Sequence, residues 1–158
     1  VLYLPQKNKE TFLNLYIMSY THTNRLPKAH TDEQFKLFHT VVTKSGNQKF
    51  IWVSNYGNVF RTFDYKEGYQ RIKTYNTATN KGRKGYLAFS GNDYPCKYLH
   101  QAVAKLFIPN PYELNEINHI DKDTHNNSIG NLEWVDRSAN MKHAYGHEEY
   151  HNNYTLAI

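Results

Sequence analysis

The 158-residue chain sets 19 lysines and arginines against 14 acidic residues, a net charge of +5, and is 39% hydrophobic and 15% aromatic. That is enough chain for one domain, or a small domain with an extension, and its single cysteine, Cys96, excludes both an internal disulfide framework and a paired-cysteine zinc knuckle. No apolar run approaches membrane-spanning length, the start lacks a signal-peptide layout, and a pI near 9.1 with a mean hydropathy of −0.80 favours a cytoplasmic protein with an anionic partner, nucleic acid being commonest.

Residues 1–47 give mixed signals and are expected to be an N-terminal extension of unassigned role. "ETFLNLYIM" (10–18) suits a helix or a strand, and "TDEQFKLFHTVV" (31–42) opens with Thr31 and acids, as helix starts do. "KSGNQ" (44–48) is a turn. The chain begins at Val1 rather than Met, and Met18 is an alternative start. His22, His30 and His39 lack partners at ligand spacing and read as surface histidines.

Residues 48–92 predict short antiparallel strands broken by turns: "KFIWVSNYGNVFRTF" (49–63), "GYQRIKTYNT" (68–77) and "GYLAFSG" (85–91). Val53, Val59, Phe60, Ile72, Leu87 and Phe89 are the expected core, and Gly57 stands where a tight turn needs positive φ. "NKGRKG" (80–85) puts three cations and two glycines at a hairpin tip, which suits a phosphate backbone or a merely solubilising turn. Arg61, Arg71, Lys73, Lys81, Arg83 and Lys84 are the candidate phosphate contacts.

Residues 93–148 form the next unit, and 149–158 a tail. In "KYLHQAVAKLFIPNP" (97–111), Leu99, Val103, Leu106 and Phe107 fall at helical spacing, and Pro109 and Pro111 end the helix. That stripe is core, with His100 a packed or surface residue beside it. "LNEINHID" (114–121) reads as a strand, "KDTHNNSIG" (122–130) as a loop and "NLEWV" (131–135) as a second strand. Asp136 or Ser138 can cap a helix through "ANMKHAYGH" (139–147). Leu132 and Trp134 are expected to pack the hairpin on that helix, while Asp123, Asn126 and Asn127 read as loop formers.

Asn118 and His119 end the first strand, while Asn140, His143 and His147 share one face of the last helix. A cleft joining Asn118, His119 and Asn140 holds an imidazole and two amide oxygens. Such a set suits a hard divalent cation, Mg²⁺ with Mn²⁺ tolerated, and an imidazole with pKa near ~6.5 accepts a proton from water. Metal plus base is the minimum equipment for phosphodiester hydrolysis.

These residues resemble the His-Asn-His motif of HNH nucleases. More narrowly, "YLHQAVAKLFIPNP" and "INHIDKDTHNNSIGNLEWVDRSANMKHAY" resemble HNH endonucleases of phages and group I introns, and "IWVSNYGNVFR" resembles the NUMOD-type element that precedes the motif in homing endonucleases. The resemblance implies an α+β protein, a small antiparallel DNA-contact region followed by a ββα-metal (His-Me finger) nuclease motif. It implies His119 as general base, Asn118 and Asn140 as metal ligands, Asn131 as the middle residue tying the loop and helping orient His119, and His143 as an auxiliary group near the metal. The partner would be double-stranded DNA, cut by a monomer or weak dimer of a phage or mobile-element protein, one strand at a time. The alternatives are a DNA-binding protein that kept the frame without catalysis, and a non-specific nuclease. Some relatives carry aspartate where this chain has Asn118, so part of the metal affinity is expected to arrive with the DNA phosphate.

Overall fold

The computed structural model describes residues 25–78, 84–90, 94 and 97–146. Within them the chain is α+β. Strands β1 (Phe35–Val42), β2 (Gln48–Ser54), β3 (Val59–Phe63) and β4 (Tyr69–Arg71) form a four-stranded antiparallel meander in that order. β5 (Thr74–Asn76) pairs with β6 (Leu87–Phe89), and β7 (Glu116–His119) with β8 (Leu132–Val135). Helix α1 (Leu99–Phe107) lies between the second and third sheets, and α2 (Arg137–Ala144) follows the last strand. Among the described residues no helix is long and apolar enough to cross a membrane.

Two elements depart from expectation. Thr31 and its acids do not start a helix; Phe35–Val42 is a strand, paired with β2 across the turn at 44–47, so the sheet begins upstream of residue 48. Residues 40–42 end that segment in Thr-Val-Val, which favours the extended chain. The 68–77 segment is two strands in different sheets, because Ile72 leaves β4, bonds its N–H to Val59 O at 2.9 Å and packs into the core.

The acid preceding β1 is spent in packing. Glu33 is fully buried, accepting from Asn58 Nδ2 at 2.7 Å and from the Ala29 N–H at 2.6 Å. Burial alone would raise its pKa, but hydrogen bonds from Ser54, Asn58 and the backbone of Ala29 and His30 hold it below the usual carboxylate value. Glu33→Ala strands those donors inside the protein. It should lower the unfolding free energy by about 3 kcal/mol, read from urea unfolding followed by tryptophan fluorescence.

Strand β2 is buried on both faces, and this divides the core. Phe50 and Trp52 join Leu26, Phe35 and Phe60 on one side. Ile51 and Val53 join Val59, Phe89, Leu99, Ala102, Val103 and Leu132 on the other. The second cluster therefore bolts the meander to β6, α1 and β8. The turn after β2 completes the joint. Gly57 adopts φ +78°, where a Cβ would lie 3.2 Å from Asn127 Cβ, and Asn55 O accepts from Ile129 N–H at 2.8 Å. The meander thus supports the 122–130 loop directly.

Leu132 and Trp134 face α1 rather than α2. Leu132 sits in the α1 core, and Trp134 Nε1 donates to Ile108 O at 3.1 Å where α1 ends. The period of two then sends Glu116, Asn118, Glu133 and Val135 to the opposite face, toward α2.

Candidate active site

The hairpin β7–β8 separates two sets of polar groups. Ile117 and His119, paired with Trp134 and Leu132, lie on the α1 face; Glu116 and Asn118, paired with Val135 and Glu133, lie on the α2 face. Asn118 and His119 therefore point to opposite sides of the strand.

His119 is buried, and its Nε2 lies 3.2 Å from Asn127 Oδ1. Asn127 Nδ2 donates to His125 O at 3.0 Å, which fixes the orientation of the amide. An amide oxygen only accepts, so Nε2 carries the proton and Nδ1 is left as the basic nitrogen. Burial pushes the His119 pKa below the ordinary histidine value, against the raising pull of the Asn127 contact and of Asp121 and Asp123. Its neighbours are rings: His100 at 5.3 Å and Tyr86 at 6.0 Å between centroids. His100 is itself buried with no hydrogen-bond partner at Nδ1, and desolvation, reinforced by His119, lowers its pKa to about 4. It is a packed histidine, neutral at neutral pH.

The loop between the strands is closed by Asn131. Its Oδ1 accepts from Asp121 N–H at 2.9 Å, while its Nδ2 donates to Asp121 Oδ1 at 2.8 Å and Asn126 O at 2.9 Å. Asp121 Oδ2 accepts from Asn126 Nδ2 at 2.8 Å, and its pKa is lowered chiefly by that bond. Asn131 thus shapes the loop that holds Asn127, and reaches His119 only through it.

On the other face, Asp136 caps α2 by accepting from Ala139 N–H at 2.8 Å, starting the helix at Arg137, two residues before the expected start. Asn140 and His143 then face β7. Asn140 Nδ2 donates to Glu116 Oε2 at 2.6 Å, Asn118 Nδ2 to Glu133 Oε1 at 2.8 Å, and His143 Nδ1 lies 2.9 Å from Asn118 Oδ1. Sequence reasoning missed Glu116, Glu133, Asn127 and Tyr86. The two glutamates had a signal: Glu116 stands two residues before Asn118, on the same strand face.

The structure thus gathers Asn118, Asn140 and His143 on one face and sets His119 on the other, with Asn131 between the strands. The open edge of β7 is where the two sides approach. A cleft of about 270 Å³ there is lined by Tyr86, Tyr98 and His100 from one side and Glu116 and Asn140 from the other. Among the described residues no three His, Cys, Asp or Glu side chains converge as a ready-made metal cluster. The α2 face offers carboxamide oxygens flanked by carboxylates, hard donors that fit Mg²⁺ or Mn²⁺.

Of the expected phosphate contacts, Arg71 and Lys73 are exposed and Arg61 is half-buried. Arg71 Nη2 donates to Asn58 Oδ1 at 3.1 Å. Lys84 pairs with Asp123 at 3.3 Å, beside the 122–130 loop. Lys81 and Arg83 lie outside the described residues, as does His147.

Residues 97–142, from the start of α1 into α2, match the family model described as HNH endonuclease. Two proteins of Acanthamoeba polyphaga mimivirus, each named an uncharacterized HNH endonuclease, are similar to the chain. One is 40% identical over 65 residues, covering 39% of this chain and 20% of the relative. The other is 33% identical over 105 residues, covering 63% of this chain and 24% of the relative. The chain therefore spans less than a quarter of either. No solved structure matches it.

Proposed function

We propose that the protein is a divalent-metal-dependent DNA endonuclease whose β7–β8–α2 unit works as a ββα-metal motif, nicking double-stranded DNA as homing-type enzymes do. The observation that supports the reading is the 3.2 Å contact of His119 Nε2 with Asn127 Oδ1: an oxygen that only accepts assigns the proton to Nε2 and leaves Nδ1 as a neutral base. In this reading Nδ1 takes the proton of the attacking water. Asn131 keeps the loop closed so that Asn127 stays in place. Asn118 and Asn140 hold the cation, Mg²⁺ or Mn²⁺, and His143 steadies Asn118 through its Nδ1–H. When bound, the cation supplies charge stabilisation for the scissile phosphate and the departing oxygen. The meander and the 80–85 segment supply backbone contacts through Arg61, Arg71, Lys73, Lys81, Arg83 and Lys84.

Supercoiled plasmid incubated with Mg²⁺, with Mn²⁺ and with EDTA tests this. Nicked circles in the metal lanes alone are the expected result. Plasmid left intact by a protein that still shifts DNA would make it a binder without catalysis. Lys81→Ala and Arg83→Ala should weaken DNA binding at every sequence and each lower the slope of log K against log salt by about 1, measured by anisotropy across a salt series.

A further inference from the structure

We infer that Glu116 and Glu133 are positioning residues: each holds one asparagine amide so that its carbonyl oxygen is presented to a divalent cation, and together they supply the negative charge that two neutral amides lack. The inference rests on the proposed role of Asn118 and Asn140 as metal ligands.

A carboxylate only accepts hydrogen bonds, so the atom an asparagine turns toward it must be the NH₂. Asn140 does this to Glu116 at 2.6 Å and Asn118 to Glu133 at 2.8 Å. Each contact removes the ambiguity between amide oxygen and nitrogen and sends the oxygen the other way. For Asn118 that oxygen accepts from His143 Nδ1 at 2.9 Å, a contact that requires His143 to carry its proton on Nδ1. A carboxylate drawing on the NH₂ group also makes the carbonyl oxygen a better donor to a cation, as partners behind metal-ligating side chains generally do. The arrangement is built by the strands: Glu116 shares the Asn118 face by alternation, and Glu133 is the cross-strand partner of Asn118. Glu133 is buried, at 9% exposure, so its charge is weakly screened, while Glu116 is half-buried.

Mn²⁺ titrated into the full chain without DNA, with the free ion followed by electron paramagnetic resonance, tests the inference. Glu116→Gln and Glu133→Gln should each weaken Mn²⁺ binding about tenfold or more, with the metal-free melting temperature unchanged. The alanine variants should lose at least as much, since they forfeit the acceptor as well as the charge. Wild-type affinity in both glutamine variants overturns the inference. Asn118→Ala and Asn140→Ala separate it from the reading beneath it. If these bind Mn²⁺ like the wild type, the ligand assignment fails whatever the glutamates do. No saturable binding by the wild-type chain, either alone or with a DNA duplex added, overturns both.

Discussion

His119→Ala is expected to slow plasmid cleavage by about 10²- to 10⁴-fold while leaving the affinity for DNA near the wild type, because the general-base role proposed for His119 acts only in the transition state. The geometry makes the expectation specific. Asn127 holds the proton on Nε2, so the loss of the ring removes one defined acceptor, Nδ1. The pH profile checks the same assignment. Burial lowers the pKa of His119, so the ring stays neutral to lower pH than an ordinary histidine. Protonation inactivates a base, so kcat/KM should hold as pH falls through ~6.5 and decline only below it. Cleavage by His119→Ala at the wild-type rate would place the base elsewhere.

The features legible in the chain were those set by local rules. The α1 stripe of Leu99 and Val103, the stop at Pro109, the Asp136 cap and the β7–loop–β8 hairpin each follow from spacing or from one side chain, and each appears in the structure. So does the positive φ of Gly57. What escaped depends on contacts distant in sequence. Phe35–Val42 carries a helix-like start, but pairing with β2 decides its state. His100, on α1, and Tyr86, just before β6, meet His119 only because α1 packs against both β6 and β7. Asn127 reads as one more turn former until the loop folds back and brings its amide to the imidazole. Asn118 and His119, adjacent in the chain, fall on opposite strand faces as alternation demands, and the distance between those faces is set by how β7 ends. The two glutamates follow from the same alternation, Glu116 sharing the Asn118 face and Glu133 standing across from it.

Phe89→Ala should be the most damaging single change to the frame, lowering the unfolding free energy by about 3–5 kcal/mol. Phe89 is fully buried, meets Phe38 edge-on at 5.6 Å and Tyr94 at 5.4 Å, and shares a cluster with Ile51, Val53, Leu99, Val103 and Leu132. It therefore meets the meander through Phe38 and belongs to the cluster that joins the meander to α1 and the hairpin strand β8. Its backbone N–H also bonds Lys97 O at 3.0 Å, fixing the entry to α1. A loss of that size is a large share of the ~5–15 kcal/mol that holds a typical domain together, and corresponds to a fall in melting temperature of about 10 °C or more. Differential scanning calorimetry reads it directly. The variant also separates frame from chemistry. Phe89 lies among the apolar residues behind the His119 face, so cleavage per folded molecule should stay near the wild type at temperatures well below the lowered transition. His119→Ala should show the reverse, almost no cutting at temperatures where the variant is fully folded. A Phe89→Ala protein that melts normally, or that stays folded yet fails to cut, would mean that this cluster does not carry the load assigned to it.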